Sequence, residues 1–430
     1  MSNSTVLRLQ REYLDISRNP DTGISIAYDE ANLTHMHALI TGPPMSAYSL
    51  GIFDFLFVFP NDYPTNAPKV LAMTTGTPTK RTRFNPNIYA SGKVCLSILG
   101  TWRGEAGEQW SAAHGVLSVL VSIQSLMSDK PYLNEPGFEN TKDLVVMEDY
   151  SRKIMHETLR VSVCIRLEKY LGIDAVGVYM IMNAGFCTCR ERSPFEDMCK
   201  RLALLYHDVY QDNIDKEVAK GIVDGTKFKR ARFETTSNTM DGEFQYANLK
   251  MRLRRIYAAI KEETESWIRS SVTWIHDDTL ASSNLRNQFE QIRASGEYAS
   301  SLMLHLVDDN PFVWMVTVSG PPGSVYEDGM FPCRVLFHNQ FPDVLPRAQF
   351  LVDVFHPNVT VDGVPFYSVK KPEDVRQHLT ALIHLFKEKP DPQPATHVNL
   401  RAAAMFLKGD HGIKDYNRNC RRCAQRSIEG

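Results

Sequence analysis

The sequence predicts an α+β protein assembled from two copies of one domain. Three observations carry that prediction: a pattern that recurs without a gap, short apolar runs of strand spacing between Pro/Gly turns, and amphipathic runs of helical spacing on either side of them. Residues 41–68 read TGPPMSAYSLGIFDFLFVFPNDYPTNAP, and residues 319–346 read SGPPGSVYEDGMFPCRVLFHNQFPDVLP. Gly42, Pro43, Pro44, Tyr48, Phe53 and Pro64 return 278 positions later as Gly320, Pro321, Pro322, Tyr326, Phe331 and Pro342. Farther on, Pro86, Asn87 and Gly92 return as Pro357, Asn358 and Gly363, 271 positions later, so the intervening loop of the second copy is seven residues shorter. A chain of 430 residues is about three times a typical domain, which leaves room for both copies and a segment between them.

Taken in order, the first copy opens with a helix. Leu9, Tyr13 and Ile16 lie on one helical face after a polar Ser4-Thr5 start, and Asn19-Pro20 with Gly23 stops the run. Strands are expected at His35–Thr41 and Gly51–Phe59, the second placing Phe53, Phe55, Phe57 and Phe59 on one face; its counterpart face is Phe331, Cys333, Val335 and Phe337. Lys69–Thr74 reads as a further strand, followed by an irregular stretch to about Ser111 and renewed helical spacing at Val116, Leu120, Ile123 and Met127. Helix, antiparallel meander, long loop, helices is an α+β order in which the loop is the natural seat of chemistry. The expected division is a first domain at 1–170, a helical middle segment at 171–272 and a second domain at 273–430. In the middle segment, Ser193–Ala219 and Gln245–Val272 have helical spacing around a polar stretch from Asp224 to Gly242.

Composition narrows the function classes. Hydrophobic residues at 43% and charged residues at 23% are those of a globular chain, and Lys+Arg 48 against Asp+Glu 50 leaves no global field toward nucleic acid or an anionic membrane. No stretch approaches the ~20 apolar residues of a membrane span, and the N-terminal run lacks the apolar core of a signal peptide. A cytosolic or nuclear chain is expected, with its eight cysteines mainly free thiols. Lys227, Lys229, Arg230 and Arg232, interleaved with Phe228 and Phe233, could form a nuclear-import or nucleic-acid patch, but the expected reading is a solvated linker, without nucleic acid as a partner. Cys187, Cys189 and Cys199 lack a matching His cluster, and Cys420 with Cys423 is a lone C-x-x-C, so no structural zinc is expected. H-E-x-x-H, P-loop and G-x-S-x-G motifs are missing.

Residues 84–99 read FNPNIYASGKVCLSIL, followed by Trp110-Ser111 and VLSVLVSIQSLMSDKPYLNEP. This segment resembles the active-site region of ubiquitin-conjugating enzymes, with His-Pro-Asn, a catalytic Cys eight residues after the Asn, and Trp-Ser-Pro. Asn87 and Cys95 have that spacing, and the N-terminal helix, the GPP turn at 42–44 and FPNDYP at 59–64 match as well, so the resemblance covers about residues 1–170. FNPN, SILGTW and NEPGFE are most similar to the class named Z. The resemblance implies a domain that receives ubiquitin or a related modifier from an activating enzyme as a thioester on Cys95. It passes the modifier to a substrate lysine, usually with a ligase, needs no bound cofactor and no membrane, and leaves ATP to the activating enzyme. Three positions depart from the family pattern: Asn85 replaces a His that shapes the loop, Thr65 replaces an aromatic residue used toward ligases, and Ala112 replaces the Pro of Trp-Ser-Pro.

The residue types suit this chemistry. A thioester is far more reactive toward an amine than an oxygen ester, and Cys95 is the only thiol in the loop; the alternative is a buried structural cysteine. Acyl transfer passes through an oxyanion that a side-chain amide can stabilise, which makes Asn87 a candidate, although a turn-forming Asn is the competing role. Glu135 matches an acidic residue that the family uses to gate the attacking lysine; a solvated loop carboxylate is the other reading. In the second copy, His356, Pro357 and Asn358 persist, but Phe366 occupies the thiol position, and Cys333, at the repeat position of Phe55, is expected in the core. That copy resembles an inactive variant, which in the family binds ubiquitin or positions an acceptor; a purely structural role is equally open. For the whole chain, the alternative to an enzyme is a non-catalytic ubiquitin-binding scaffold in which Cys95 is never charged, or a conjugating-enzyme variant acting as a cofactor for another conjugating enzyme.

Overall fold

The computed structural model describes residues 3–19, 23–29, 31–77, 80–104, 107–173, 193–235 and 240–429; Pro20 of the expected helix stop, Cys187 and Cys189 lie outside these residues. The chain forms two compact units, Met1–Cys199 with Gln211–Ile256, and Lys200–Tyr210 with Tyr257–Gly430. Residues 171–272, expected as a middle segment, are divided between them.

In the first unit, α1 (Asn3–Arg18) buries Leu9, Tyr13 and Ile16, the face its spacing requires. Four antiparallel strands follow in sequence order: β1 (Ile24–Asp29), β2 (Asn32–Thr41), β3 (Ile52–Val58) and β4 (Lys69–Ala72). β3 pairs Phe55 with Ala38 on one side and Ala72 on the other, and period two turns Phe53, Phe55 and Phe57 into the core. β1 is the strand that the sequence pattern does not announce, because its burial fades from Ile24 to Asp29 instead of alternating. α2 (Val116–Leu126) starts where Val116 N donates to Glu12 Oε2 at 2.7 Å, placing a carboxylate of α1 at its positive end. The same carboxylate accepts from Tyr63 Oη at 2.8 Å, so one half-buried group joins α1, α2 and the FPNDYP turn. α3 (Leu144–Glu157), capped by Asp143 on Val146 N, continues through a π-helical stretch at Thr158–Ile165 into α4 (Arg166–Leu171).

Two long helices complete the middle of the chain, α5 (Glu196–Ala219) and α6 (Tyr246–Asp277). Between them, the run expected as a solvated linker is held on the first unit instead. Lys229 pairs with Asp149 at 2.8 Å and Arg232 with Asp143 at 3.2 Å, while Phe233 packs among Tyr132, Phe138 and Tyr150. Glu234, 2% exposed in its side chain, pairs at 2.6 Å with Lys153 of α3, which is 1% exposed. Alternating basic and aromatic residues thus separate into charges on the acidic rim and rings in the core, which explains why the segment looks like a binding patch in sequence.

The second unit repeats the plan: α7 (Thr279–Ser295), an antiparallel sheet of β5 (Leu302–Leu306), β6 (Val313–Ser319), β7 (Met330–Leu336) and β8 (Arg347–Phe350), then α8 (Val375–Lys387), α9 (Leu400–Phe406) and α10 (Asp410–Glu429). Phe331, Cys333, Val335 and Phe337 are buried as expected. Among the described residues no helix is long and apolar enough to cross a membrane.

Candidate active site

The loop between β4 and α2 is anchored at both ends. At its start, Thr82 Oγ1 donates to Glu157 Oε2 at 2.7 Å, and Tyr48 Oη donates to the Phe84 carbonyl at 2.7 Å. Asn85 is fully buried and uses its whole amide: Nδ2 donates to Tyr48 Oη at 2.9 Å and to the Leu126 carbonyl at 2.7 Å, and Oδ1 accepts from Asn87 N at 2.9 Å. In the second unit His356 Nδ1 accepts from Asn358 N at 3.0 Å, so a short amide and an imidazole perform the same capping of the Pro-Asn turn. The Asn85 departure therefore keeps the loop's shape.

From Asn87 the chain runs out and back as a tight hairpin. Gly92 carries φ of +90° and its carbonyl accepts from Ala72 N at 2.7 Å; a Cβ there would lie 2.7 Å from the Ala72 carbonyl oxygen, so only glycine fits. The hairpin closes with two bonds between the predicted site residues. Cys95 N donates to the Asn87 carbonyl at 2.8 Å, and Asn87 Nδ2 donates to the Cys95 carbonyl at 3.0 Å. Asn87 thus has the structural role that its residue type allows. An amide nitrogen has two hydrogens, and the bond to the Cys95 carbonyl takes one of them, leaving a second donor.

Cys95 is 4% exposed, so burial alone does not separate it from the other described cysteines. Burial pushes the thiols of Cys164, Cys199 and Cys333 up to about 12 and that of Cys420 to about 11, which holds them protonated and unreactive at neutral pH. Cys420 and Cys423 face the core from α10, with Cys420 Sγ 3.3 Å from Tyr326 Oη. Among the described residues no group of three or more His, Cys, Asp or Glu side chains could hold a metal.

Glu135 follows a short 3-10 turn at Pro131–Asn134 and meets the loop through an ion pair: Arg83 Nη2 donates to its Oε2 at 3.0 Å. Its side chain is 20% exposed. Burial raises this carboxyl above its ordinary value, and the Arg83 charge opposes that rise. The Arg83 guanidinium lies 4.7 Å from the centre of the Tyr89 ring. The Tyr89 hydroxyl is itself raised, by burial first and then by the Cys95 sulfur beside it. The structure therefore joins Asn87 and Cys95 directly, and brings Glu135 to them through Arg83 and Tyr89. Sequence reasoning missed both of these intermediaries: Arg83 belongs to no periodic run, and its partner is 52 positions away. Trp110 Nε1 donates to the Pro64 carbonyl at 2.8 Å, tying the insertion after the loop to the FPNDYP turn, where Thr65 is exposed; Ala112 is exposed as well.

The second unit keeps the hairpin without the thiol. Phe366 N donates to the Asn358 carbonyl at 2.7 Å, and Gly363, with φ of +84°, accepts from Phe350 N at 2.8 Å. The Asn358 amide, however, donates to the Thr396 carbonyl at 3.3 Å, and Tyr206 of α5 places its ring 6.3 Å from that of Phe366.

The sequence profile of the ubiquitin-conjugating enzymes matches residues 8–156 and 285–423, one stretch in each unit. The chain is 39% identical over 262 residues to the ubiquitin-conjugating enzyme E2 Z of Xenopus tropicalis, covering 61% of this chain and 74% of that one. It is 40% identical over 257 residues to the E2 Z of Homo sapiens, where the match spans 60% of this chain and 64% of the human protein. A probable ubiquitin-conjugating enzyme, protein 17 of Caenorhabditis elegans, is 41% identical over 171 residues, 38% of this chain and 23% of that protein.

Proposed function

The chain belongs to the ubiquitin-conjugating enzyme family, and on that premise we propose that Cys95 carries ubiquitin as a thioester and delivers it to a substrate lysine. The observation that supports this most is the pair of opposed hydrogen bonds between Asn87 and Cys95, which fixes a thiol and an amide donor on one hairpin. In the charging step, the Cys95 sulfur attacks the thioester carbonyl presented by an activating enzyme; a new C–S bond forms as the old one breaks, and the proton of Cys95 passes to the departing thiolate. In discharge, a lysine amine attacks the carbonyl carbon, the C–S bond to Cys95 breaks, and an amide forms with release of one proton and the thiolate. The intermediate is an oxyanion, and the second hydrogen of the Asn87 amide is the donor we assign to it. Glu135, carried on the Arg83 ion pair, is assigned to orient the incoming ammonium and accept its proton.

The second unit is not assigned catalysis, since a phenyl ring at residue 366 forms no thioester. The reaction is assigned to the cytoplasm or nucleus, with ubiquitin as the modifier and a ligase directing it to protein substrates.

Incubation of the full chain with activating enzyme, ATP and ubiquitin tests the reading on a non-reducing gel. An adduct lost on reduction, and missing in Cys95→Ala, is expected. A reducible adduct that persists in Cys95→Ala would place the thioester elsewhere and overturn it.

A further inference from the structure

Arg83 immediately precedes the Phe84–Asn87 turn and is only 4% exposed. Burying a guanidinium is expensive unless its charge and donors are used, so its partners reveal what the position requires. Nη2 is shared between the Pro86 carbonyl at 2.6 Å and Glu135 Oε2 at 3.0 Å. Its faces meet Tyr89 at 4.7 Å and Phe233 at 5.8 Å. Nε and Nη1 are buried without a hydrogen-bond acceptor among the described residues. Only Nη2 is used, on two oxygens, one in the turn before Asn87 and one on Glu135.

The groups that face Glu135 leave Arg83 as its main charge. Tyr89, Tyr132 and Tyr150 all feel the Glu135 carboxyl, and burial raises each hydroxyl above its ordinary value, so they stay neutral through the working pH range. Arg232 and Asp143, which lie toward Tyr132, are paired with each other at 3.2 Å. Phe233 contributes only an apolar ring.

We propose that Arg83 is a positioning residue for discharge: it anchors the Glu135 carboxylate at the loop, holds the Pro86 carbonyl and with it Asn87, and presents Tyr89 beside Cys95. The proposal rests on the reading of Cys95 as the thioester carrier and adds to it the residue on which proton acceptance depends.

The test charges the full chain with ubiquitin, then follows single-turnover discharge to free lysine across pH for wild type, Arg83→Gln, Arg83→Lys and each combined with Glu135→Gln. Arg83→Gln should charge normally and discharge about tenfold more slowly or worse. Its acidic limb should move to higher pH, because burial raises Glu135 and the opposing charge is gone. Arg83→Lys keeps the charge, so its limb should hold, but an ammonium cannot bind both oxygens and lie flat on Tyr89, so its plateau should fall. Glu135→Gln should abolish the limb in every background. An unmoved limb in Arg83→Gln, or an undiminished plateau in Arg83→Lys, overturns the proposal; the second criterion holds even if Arg83→Gln does not fold. A wild-type chain that never charges would instead strike the Cys95 reading on which it rests.

Discussion

The main-chain nitrogen of Phe366 donates to the carbonyl of Asn358 at 2.7 Å, the same bond that ties Cys95 to Asn87 at 2.8 Å in the other unit. The hairpin therefore folds alike with a phenyl ring or a thiol at its end. The surroundings differ: Asn358 turns its amide to Thr396, and the Tyr206 ring stands by Phe366.

A thiol restored there should consequently remain inert. Phe366→Cys in a Cys95→Ala background is expected to give no reducible ubiquitin adduct, read on a non-reducing gel against wild type. Charging of that double variant would show that the thiol alone had been missing.

Replacing Asn87 separates making the thioester from using it. Asn87→Ala should charge nearly as wild type and discharge to free lysine slower by roughly 10²- to 10³-fold, the range for a lost oxyanion donor. Since the amide also binds the Cys95 carbonyl, thermal unfolding of the same protein is needed. Equal loss in both steps with a lowered melting temperature would assign Asn87 to the fold alone.

The Lys153–Glu234 pair makes the strap after α5 part of the first unit's stability. Both side chains are at most 2% exposed, and burial lowers Lys153 below its ordinary value despite the partner carboxylate. Glu234→Gln leaves an uncompensated buried ammonium, and a loss of about 3–5 kcal/mol is expected in urea unfolding. A change under about 1 kcal/mol would mean the pair behaves as a surface bridge.

His356 gives the second unit an acid sensitivity. Burial pushes its imidazole down to about 3 from the ordinary 6.5, with His397 adding to the shift. Between those values the unfolded chain binds the proton and the folded one does not, so this contribution to stability is complete above pH 6.5 and is lost as pH falls toward 3. His356→Asn copies the first unit's Asn85, which caps the same turn with an uncharged amide. Its acid unfolding, followed by circular dichroism, should shift to lower pH than wild type; an identical midpoint would show that His356 is not the sensor.

Much of this was legible in the sequence because it is local. Leu9, Tyr13 and Ile16 lie on one helical face, the β3 phenylalanines keep period two, and the eight-residue step from Asn87 to Cys95 is the length of the hairpin itself. β1 was hidden by its graded burial, and the strap by aromatic residues whose partners lie far back in the chain. Arg83 and Glu135 meet across 52 positions, and no window of local periodicity reports a contact of that kind.

Gly92 and Gly363 each press a bare Cα against a strand carbonyl, leaving 2.7 and 2.3 Å for a Cβ that is not there. What shapes the hairpin is thus a steric requirement met before any reactive group is considered. The residue that closes it, Cys95 in one unit and Phe366 in the other, is cargo on a prefabricated mount. The mount holds a thiol in one unit and a phenyl ring in the other, whereas a single methyl group at either glycine would cost the mount itself.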